Sequence, residues 1–289
     1  MKRFERGSEW RKWDLHVHSP ASLLANKFKG STIEDKWANY FSSLKSITDI
    51  SVLGITDYFY LDGYKKVRAK FEGGQLKNFD EILPNCEIRI NPRSRAGKKL
   101  NLHFIFNPEI VCYLDEWFFN KLKFIYSDEA EYFCTRNSMI NLGRKIANNQ
   151  LLEEIAALRK AAEVIEFSID DIEKILKNKK LRENCLVVVP NSANDGASGL
   201  FIKDNGKRIN VEEVLRTRIY KMSDLIFSSS NSDIEFFSSE KCVKDNGKKM
   251  TCIHGSDAHT NVKIGEPDFQ RYNWIKADPT FFGLKQLKY

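Results

Sequence analysis

The chain has 289 residues, is 42% hydrophobic and 29% charged, and carries a formal net charge of +7. That length suits one large domain or two small ones with a core of useful size, and the balance reads as globular and soluble. No apolar run reaches the length of a membrane span and Met1-Lys2-Arg3-Phe4-Glu5-Arg6 has no apolar signal core, so the expectation is a cytoplasmic protein without a membrane partner.

The six cysteines, Cys86, Cys112, Cys134, Cys185, Cys242 and Cys252, are scattered with no CxxC spacing, which points to buried thiols rather than disulfides. The basic excess is compatible with a polyanionic partner such as nucleic acid. Histidine is scarce: His16, His18, His103, His254 and His259 are all of it.

In chain order, residues 12–18 alternate like a strand and end in a Ser/Pro/Ala/Ser turn. Trp37, Tyr40, Phe41 and Leu44 fall at helical spacing within 31–49, after Ser31 and Thr32 as caps. Residues 51–57 read as a short buried strand, 64–71 as a helix stopped by Gly73-Gly74, 82–90 as a third strand region and 100–106 as a fourth, delimited by Asn107-Pro108. Strand and helix thus alternate over the first hundred residues, which argues for a βα architecture. Residues 109–184 change character: they are helical by period, with Ser168 before Asp170 and Asp171 as a helix start, and read as an inserted helical layer of one domain spanning 1–289. Residues 185–189 are a buried strand stopped at Pro190; 192–206 are loop-like, with Asn194-Asp195-Gly196 and Asp204-Asn205-Gly206 turns; 211–220 are helical; 224–227 and 250–253 are the last strands. Asp278-Pro279 reads as an N-cap followed by Pro at N1, opening a helix over 280–288. Tyr289 ends that helix with no Gly or Pro stop, so the native protein is expected to continue.

Period two puts His16 and His18 on one face of a strand, and Asp257 and His259 form a second such pair. His16, His18, Asp57, Glu87, His103, Asp257 and His259 each follow or end an apolar strand-like run. In a βα barrel such residues converge at the C-terminal face. Imidazole and carboxylate donors suit Zn, Mn or Fe, and carboxylates that bridge two metals serve phosphoryl hydrolysis.

Taken together, Trp13-Asp14-Leu15-His16-Val17-His18-Ser19, Leu53-Gly54-Ile55-Thr56-Asp57, Cys86-Glu87-Ile88, Leu102-His103-Phe104 and Gly255-Ser256-Asp257-Ala258-His259, in this order, resemble the polymerase and histidinol phosphatase (PHP) family of metal-dependent phosphoesterases. The resemblance spans residues 12 to 285, and its specific parts are the HxH and SDAH motifs. Residues 274–286 look like the end of PHP domains that precede a large ATPase domain in DNA-repair or phage-defence proteins. The resemblance implies a distorted (β/α)7 barrel with up to three metals. By it, His16 and His18 bind the first metal with Glu87 and Asp257 bridging or completing it, Glu87 and His103 hold the second, and His259 belongs to the third. Three departures stand out: Tyr58 where the family has the histidine of Thr-Asp-His, Pro190-Asn191-Ser192 where a histidine is expected, and Leu23-Leu24 where a ligand often follows HxH. The implied outcome is one well-formed site, a weakened second, and a third missing a ligand, with one or two divalent ions bound.

Several of these residues also have plainer roles. Asp57 could orient a ligand or only cap the following helix, His103 alone would be a core histidine, His254 could cap a strand end, and Tyr58 could pack. Arg93, Arg95, Lys98 and Lys99, and Lys177, Lys179, Lys180 and Arg182, could contact a nucleic-acid backbone or form solvated faces. The functional expectation is a metal-dependent phosphoesterase with nuclease-like hydrolysis of DNA or RNA by a metal-activated water, with His16, His18, Glu87, Asp257 and His259 as its catalytic set. The competing expectations are a catalytically degenerate barrel serving an ATPase domain, and a small-molecule phosphatase of the histidinol phosphate type.

Overall fold

The N-terminal alternating run forms β1 (Trp10–His18), and Thr32 caps α1 (Ile33–Ser46) through a reciprocal bond with Asp35. There follow β2 (Ile50–Tyr58), α2 (Asp62–Glu72), β3 (Glu81–Asn91), β4 (Leu100–Phe106), α3 (Leu114–Trp117), β5 (Lys123–Ile125), β6 (Glu131–Phe133), α4 (Arg136–Ile146), α5 (Glu154–Val164), β7 (Phe167–Ser168), α6 (Ile169–Ile175), α7 (Lys179–Glu183) and β8 (Cys185–Pro190). The chain ends with β9 (Phe201–Asp204), β10 (Lys207–Asn210), α8 (Glu213–Met222), β11 (Leu225–Phe227), α9 (Asn231–Ser238), α10 (Glu240–Asn246), β12 (Thr251–Ile253), β13 (Asn273–Lys276) and α11 (Phe281–Lys285). This computed structural model describes residues 8–91, 99–127, 130–191, 201–204, 207–210 and 213–289. Arg93, Arg95, Lys98 and the turn at Asn194-Asp195-Gly196 lie outside the described residues.

The main sheet runs β12-β11-β8-β4-β3-β2-β1-β13. All neighbours are parallel except β4, antiparallel to β3 and β8, and β13, antiparallel to β1. Just past β12 the chain meets β1: Val17 and Ala258 form a parallel bridge, and His18 N donates to Ala258 O at 3.1 Å. The sheet therefore rolls into a nearly closed barrel in a mixed α/β fold. The reversal at β4 breaks a strict βα repeat.

Two apolar layers follow from the strand period. Residues Leu53, Ile55, Ile88, Leu102 and Phe104 face outward into the core beneath the helices. Trp13, Leu15, Val52, Leu83, Ile105, Leu186, Val188 and Phe227 fill the barrel interior, together with Phe281 and Leu284 of α11. A register irregularity between Asp14 and Val17 of β1 lets Leu15 and the following imidazoles share the interior.

The helical stretch after residue 108 packs as a layer on this outer face, through Phe118, Leu142, Ala161 and Ile172. It also contains strands: the β5–β6 hairpin, and β7, which adds to β3 at Ile90–Phe167. Ser168 caps α6 by accepting from Asp170 N. Within the stretch read as loop, Phe201–Asp204 forms β9, which pairs antiparallel with β10; Asn205 and Gly206 of the expected turn lie outside the described residues. The C-terminal helix starts later than Asp278-Pro279 suggests. Thr280 is its N-cap, accepting from Gly283 N at 3.0 Å, because its hydroxyl reaches the free amide that Asp278 does not. The α9–α10 pair and β13 are additions that weak local periodicity conceals.

Candidate metal centre

The parallel strands deliver their C-terminal ends to one mouth of the barrel. β1 brings His16 and His18, β3 brings Glu87, and the segment after β12 brings Asp257. Antiparallel β4 contributes His103 from its middle, where it pairs across from Glu87. Asp257 adopts a left-handed φ of 47°, a strained conformation for a carboxylate residue that marks a backbone held by its surroundings.

Four donor atoms converge. His16 Nε2 lies 3.1 Å from His18 Nε2, 3.2 Å from Asp257 Oδ1 and 3.8 Å from Glu87 Oε2. His18 Nε2 lies 3.4 Å from Glu87 Oε2 and 3.6 Å from Asp257 Oδ1. Ligands at about 2.0–2.2 Å from a tetrahedral cation stand about 3.3–3.6 Å apart; the His16, His18 and Asp257 atoms, at 3.1, 3.2 and 3.6 Å from one another, bracket that value, and Glu87 groups with His16 and His103. Glu87 Oε2 is buried without a hydrogen-bond partner, as a carboxylate oxygen reserved for a cation would be. The donor set thus fits a divalent ion of the imidazole/carboxylate class.

Polar neighbours orient these donors. His18 Nδ1 contacts Ser22 Oγ at 3.1 Å, which turns Nε2 to the centre. His103 Nδ1 contacts Asn85 Oδ1 at 3.3 Å, and Asn85 Nδ2 is fixed on Leu15 O at 3.0 Å. Asn101 donates to Glu87 Oε1. Phe227 floors the site, its ring centroid 5.3 Å from that of His16 and 4.8 Å from that of His103. A second, poorer position uses His16, Glu87 and His103. There His103 Nε2 is buried and unpaired, 3.9 Å from Glu87 Oε1, which Asn101 already occupies.

The electrostatics follow from burial against charge. Burial would drive the proton off His16, but Asp257 and Glu87 reverse this and raise it to about 9. Burial lowers His18 to about 4, despite the Asp257 carboxylate 3.6 Å away, and lowers His103 to about 3. Glu87 and Asp257 both ionise against burial: the imidazoles of His103, His16 and His18 hold Glu87 at about 2, and His16 leads in holding Asp257 well below the ordinary range. A proton on His16 sits between two carboxylates, where a cation's charge would also be favoured.

Not every residue singled out in the sequence joins the centre. His259 stacks on His18 with centroids 4.0 Å apart, and its Nε2 is 3.4 Å from Asp257 Oδ1, so it borders the cluster on its more open side. Asp57 turns its oxygens elsewhere: it accepts from Ser19 Oγ at 2.6 Å and from Gly63 N and Tyr64 N at 2.8 and 3.3 Å, holding the start of α2. A Cβ at Gly63 would fall 1.9 Å from Ser19 Oγ, so only glycine lets that amide reach Asp57. Burial raises the Asp57 carboxyl to about 7. Tyr58 stacks on His18 at 5.1 Å, and Asn191 accepts from Tyr220 Oη at 2.5 Å. His254 is partly buried near Arg271, and burial lowers it to about 4. Leu23 is buried in the outer core.

Asn85, Asn101, Ser22 and Phe227 carry the orientation of the ligands, and sequence reasoning missed them. The available signal was period two: Asn85 and Asn101 share a strand face with Glu87 and His103. Of the basic residues considered for nucleic acid, Lys99 lies 3.4 Å from Glu166, and Arg182 makes a bidentate pair with Asp224 at 2.7 and 2.8 Å.

No family model matches the sequence, and no curated protein matches it. Solved structures similar to the chain include two from bacteria. One is a candidate metal-dependent phosphoesterase from Bifidobacterium adolescentis: 12% identity, TM-score 0.47, covering 97% of this chain and 96% of that one. The other is an amidohydrolase from Chromobacterium violaceum with bound sulfate and no metal: 12% identity, TM-score 0.49, covering 88% and 90%. At such values the chemistry rests on the donor set alone. Among the described residues, no helix is long and apolar enough to cross a membrane.

Proposed function

We propose that the protein is a metal-dependent hydrolase of phosphate esters. The observation that supports this is the convergence of His16, His18 and Asp257 at the spacing of a cation's ligands, with Glu87 beside them. A divalent ion there supplies Lewis acidity toward phosphoryl oxygens and lowers the pKa of water. The chain's own residues hold and aim: the two imidazoles and two carboxylates fix the ion, while Ser22 and Asn101 fix the ligands. Phe227 closes the floor against water. His259, at the more open edge, is placed to give a proton to the leaving oxygen.

Within this reading, cleavage of DNA or RNA phosphodiesters draws its support from the net charge of +7. Lys99 and Arg182 lend it little, since both are engaged with carboxylates. The second reading, a barrel that serves an ATPase domain as a structural or regulatory module, draws on Tyr58 and Asn191. Both stand where the resemblance expects histidines, and both are engaged in packing or in a bond to Tyr220.

The test is metal content after incubation with Mn²⁺ or Zn²⁺ and exhaustive washing, followed by hydrolysis of p-nitrophenyl phosphate, bis-(p-nitrophenyl) phosphate and end-labelled DNA and RNA. Retained metal and a loss of more than about 100-fold in the His16→Ala/Asp257→Ala variant are expected. Activity equal to wild type in that variant would sink the hydrolase reading. Absence of metal would leave the module.

A further inference from the structure

The interior row of β3 reads Asn85, Glu87, Arg89. The first two serve the metal centre; Arg89 has no part in it so far. It stands one pleat beyond Glu87, toward the mouth, opposite Asn101 in the ladder. Its guanidinium carbon lies 5.9 Å from the centroid of the Tyr58 ring, and that ring stacks on His18. Among the described residues it donates one hydrogen bond, Nη1 to Ala162 O at 3.3 Å, and makes no ion pair. Its Nε is buried and has no acceptor. Guanidinium has five N–H donors and a permanent charge, and leaving these unmet in a partly buried position is costly unless an anion arrives to meet them.

We infer that Arg89, held by Tyr58, contacts a phosphoryl oxygen of the substrate and gives the site a preference for a terminal phosphate over an internal diester. The inference rests on the phosphoester reading above and adds to it a residue and a substrate class. A terminal phosphate offers three non-bridging oxygens and nearly two negative charges, enough to engage a cation at the cluster and a fork of N–H donors beside it. A diester has two such oxygens and one charge. Access favours the same outcome: His16, His18, Glu87 and His103 are buried, and the side chains of Asp257 and His259 are only 35% and 19% exposed. A chain end reaches such a centre more easily than the middle of a strand.

The experiment measures binding of inorganic phosphate by calorimetry to the Mn²⁺-loaded full chain, wild type, Arg89→Met and Arg89→Lys, with metal content and melting temperature alongside. Kinetics on p-nitrophenyl phosphate and bis-(p-nitrophenyl) phosphate accompany it. Expected for Arg89→Met is phosphate binding weakened about tenfold to a hundredfold, with metal content unchanged. The monoester KM should rise by a similar factor while the diester KM moves less than about threefold. Arg89→Lys keeps the charge without the fork and should fall between. Equal phosphate binding by wild type and Arg89→Met, or no binding by either, overturns the inference. Arg89-dependent phosphate binding in a protein that hydrolyses neither ester would instead overturn the hydrolase reading and leave the anion subsite standing.

Discussion

His16 is the hinge of the site's electrostatics. Two carboxylates hold its proton up to about 9, while burial keeps His18 and His103 neutral. A cation entering the cluster must displace that proton, because a protonated imidazole has no lone pair to give. Glu87 and Asp257 stay ionised throughout the neutral range, so they add no further pH dependence there. Mn²⁺ affinity should therefore rise about tenfold per pH unit from pH 6.5 to 8.5 and level off near 9, with about one proton released per ion. Calorimetry in two buffers of different ionisation enthalpy measures this; a flat affinity over that range would contradict the proton's placement. Much of this cluster was legible in the sequence, since period two and the scarcity of histidine isolate His16, His18, Asp257 and His259. For Asp57 the sequence left two roles open, ligand or cap of the following helix, because a carboxylate after an apolar strand looks the same whether it faces a cavity or folds back on the next helix. Arg89 was hidden for a related reason: only the register with β4 shows that it shares a face with Glu87, and only the fold shows that it makes no ion pair among the described residues.

Among the elements, the link between β12 and β13 decides whether the barrel closes. Asp14 of β1 accepts from Ser256 N at 2.9 Å and Gly265 N at 3.2 Å, tying that segment to the first strand. The approach is so close that a Cβ at Gly255 would lie 2.5 Å from Asp14 Oδ1 and 2.6 Å from His16 N. Gly255→Ala should push the segment away, carry Asp257 out of reach, and weaken Mn²⁺ binding more than about tenfold while costing about 1–3 kcal/mol of stability. Metal titration and thermal melting check both, and an unchanged variant would remove this contact from the account of closure. The sequence revealed strongly periodic elements well: 100–106 is found as read, and Thr32 and Ser168 cap the helices assigned to them. It concealed those made by pairing. Asn273–Lys276 has little strand character of its own and becomes β13 by lying against β1. The helix start at Asp278 was misplaced by two residues because Asp and Thr are both good caps and only geometry chooses between them.

At the scale of the molecule, the barrel interior is stratified. Apolar side chains fill the end where α11 inserts Phe281 and Leu284, and polar donors gather at the other. Phe281 is 2% exposed, and Phe281→Ala should cost about 3–5 kcal/mol in a denaturant melt. Mn²⁺ affinity of the folded fraction should be unchanged, since the donors stand at the opposite mouth; a proportional loss of affinity would show that the two strata are not independent. The order of the donors along the chain has a kinetic consequence. During synthesis the imidazoles at 16 and 18 emerge early and the carboxylate at 257 almost last, so a nascent chain cannot assemble the full set until nearly all the barrel has left the ribosome. Ion capture would then act as a late latch, drawing together segments that a flexible chain brings into contact slowly, and refolding under a chelator should lose its final step while keeping the earlier ones.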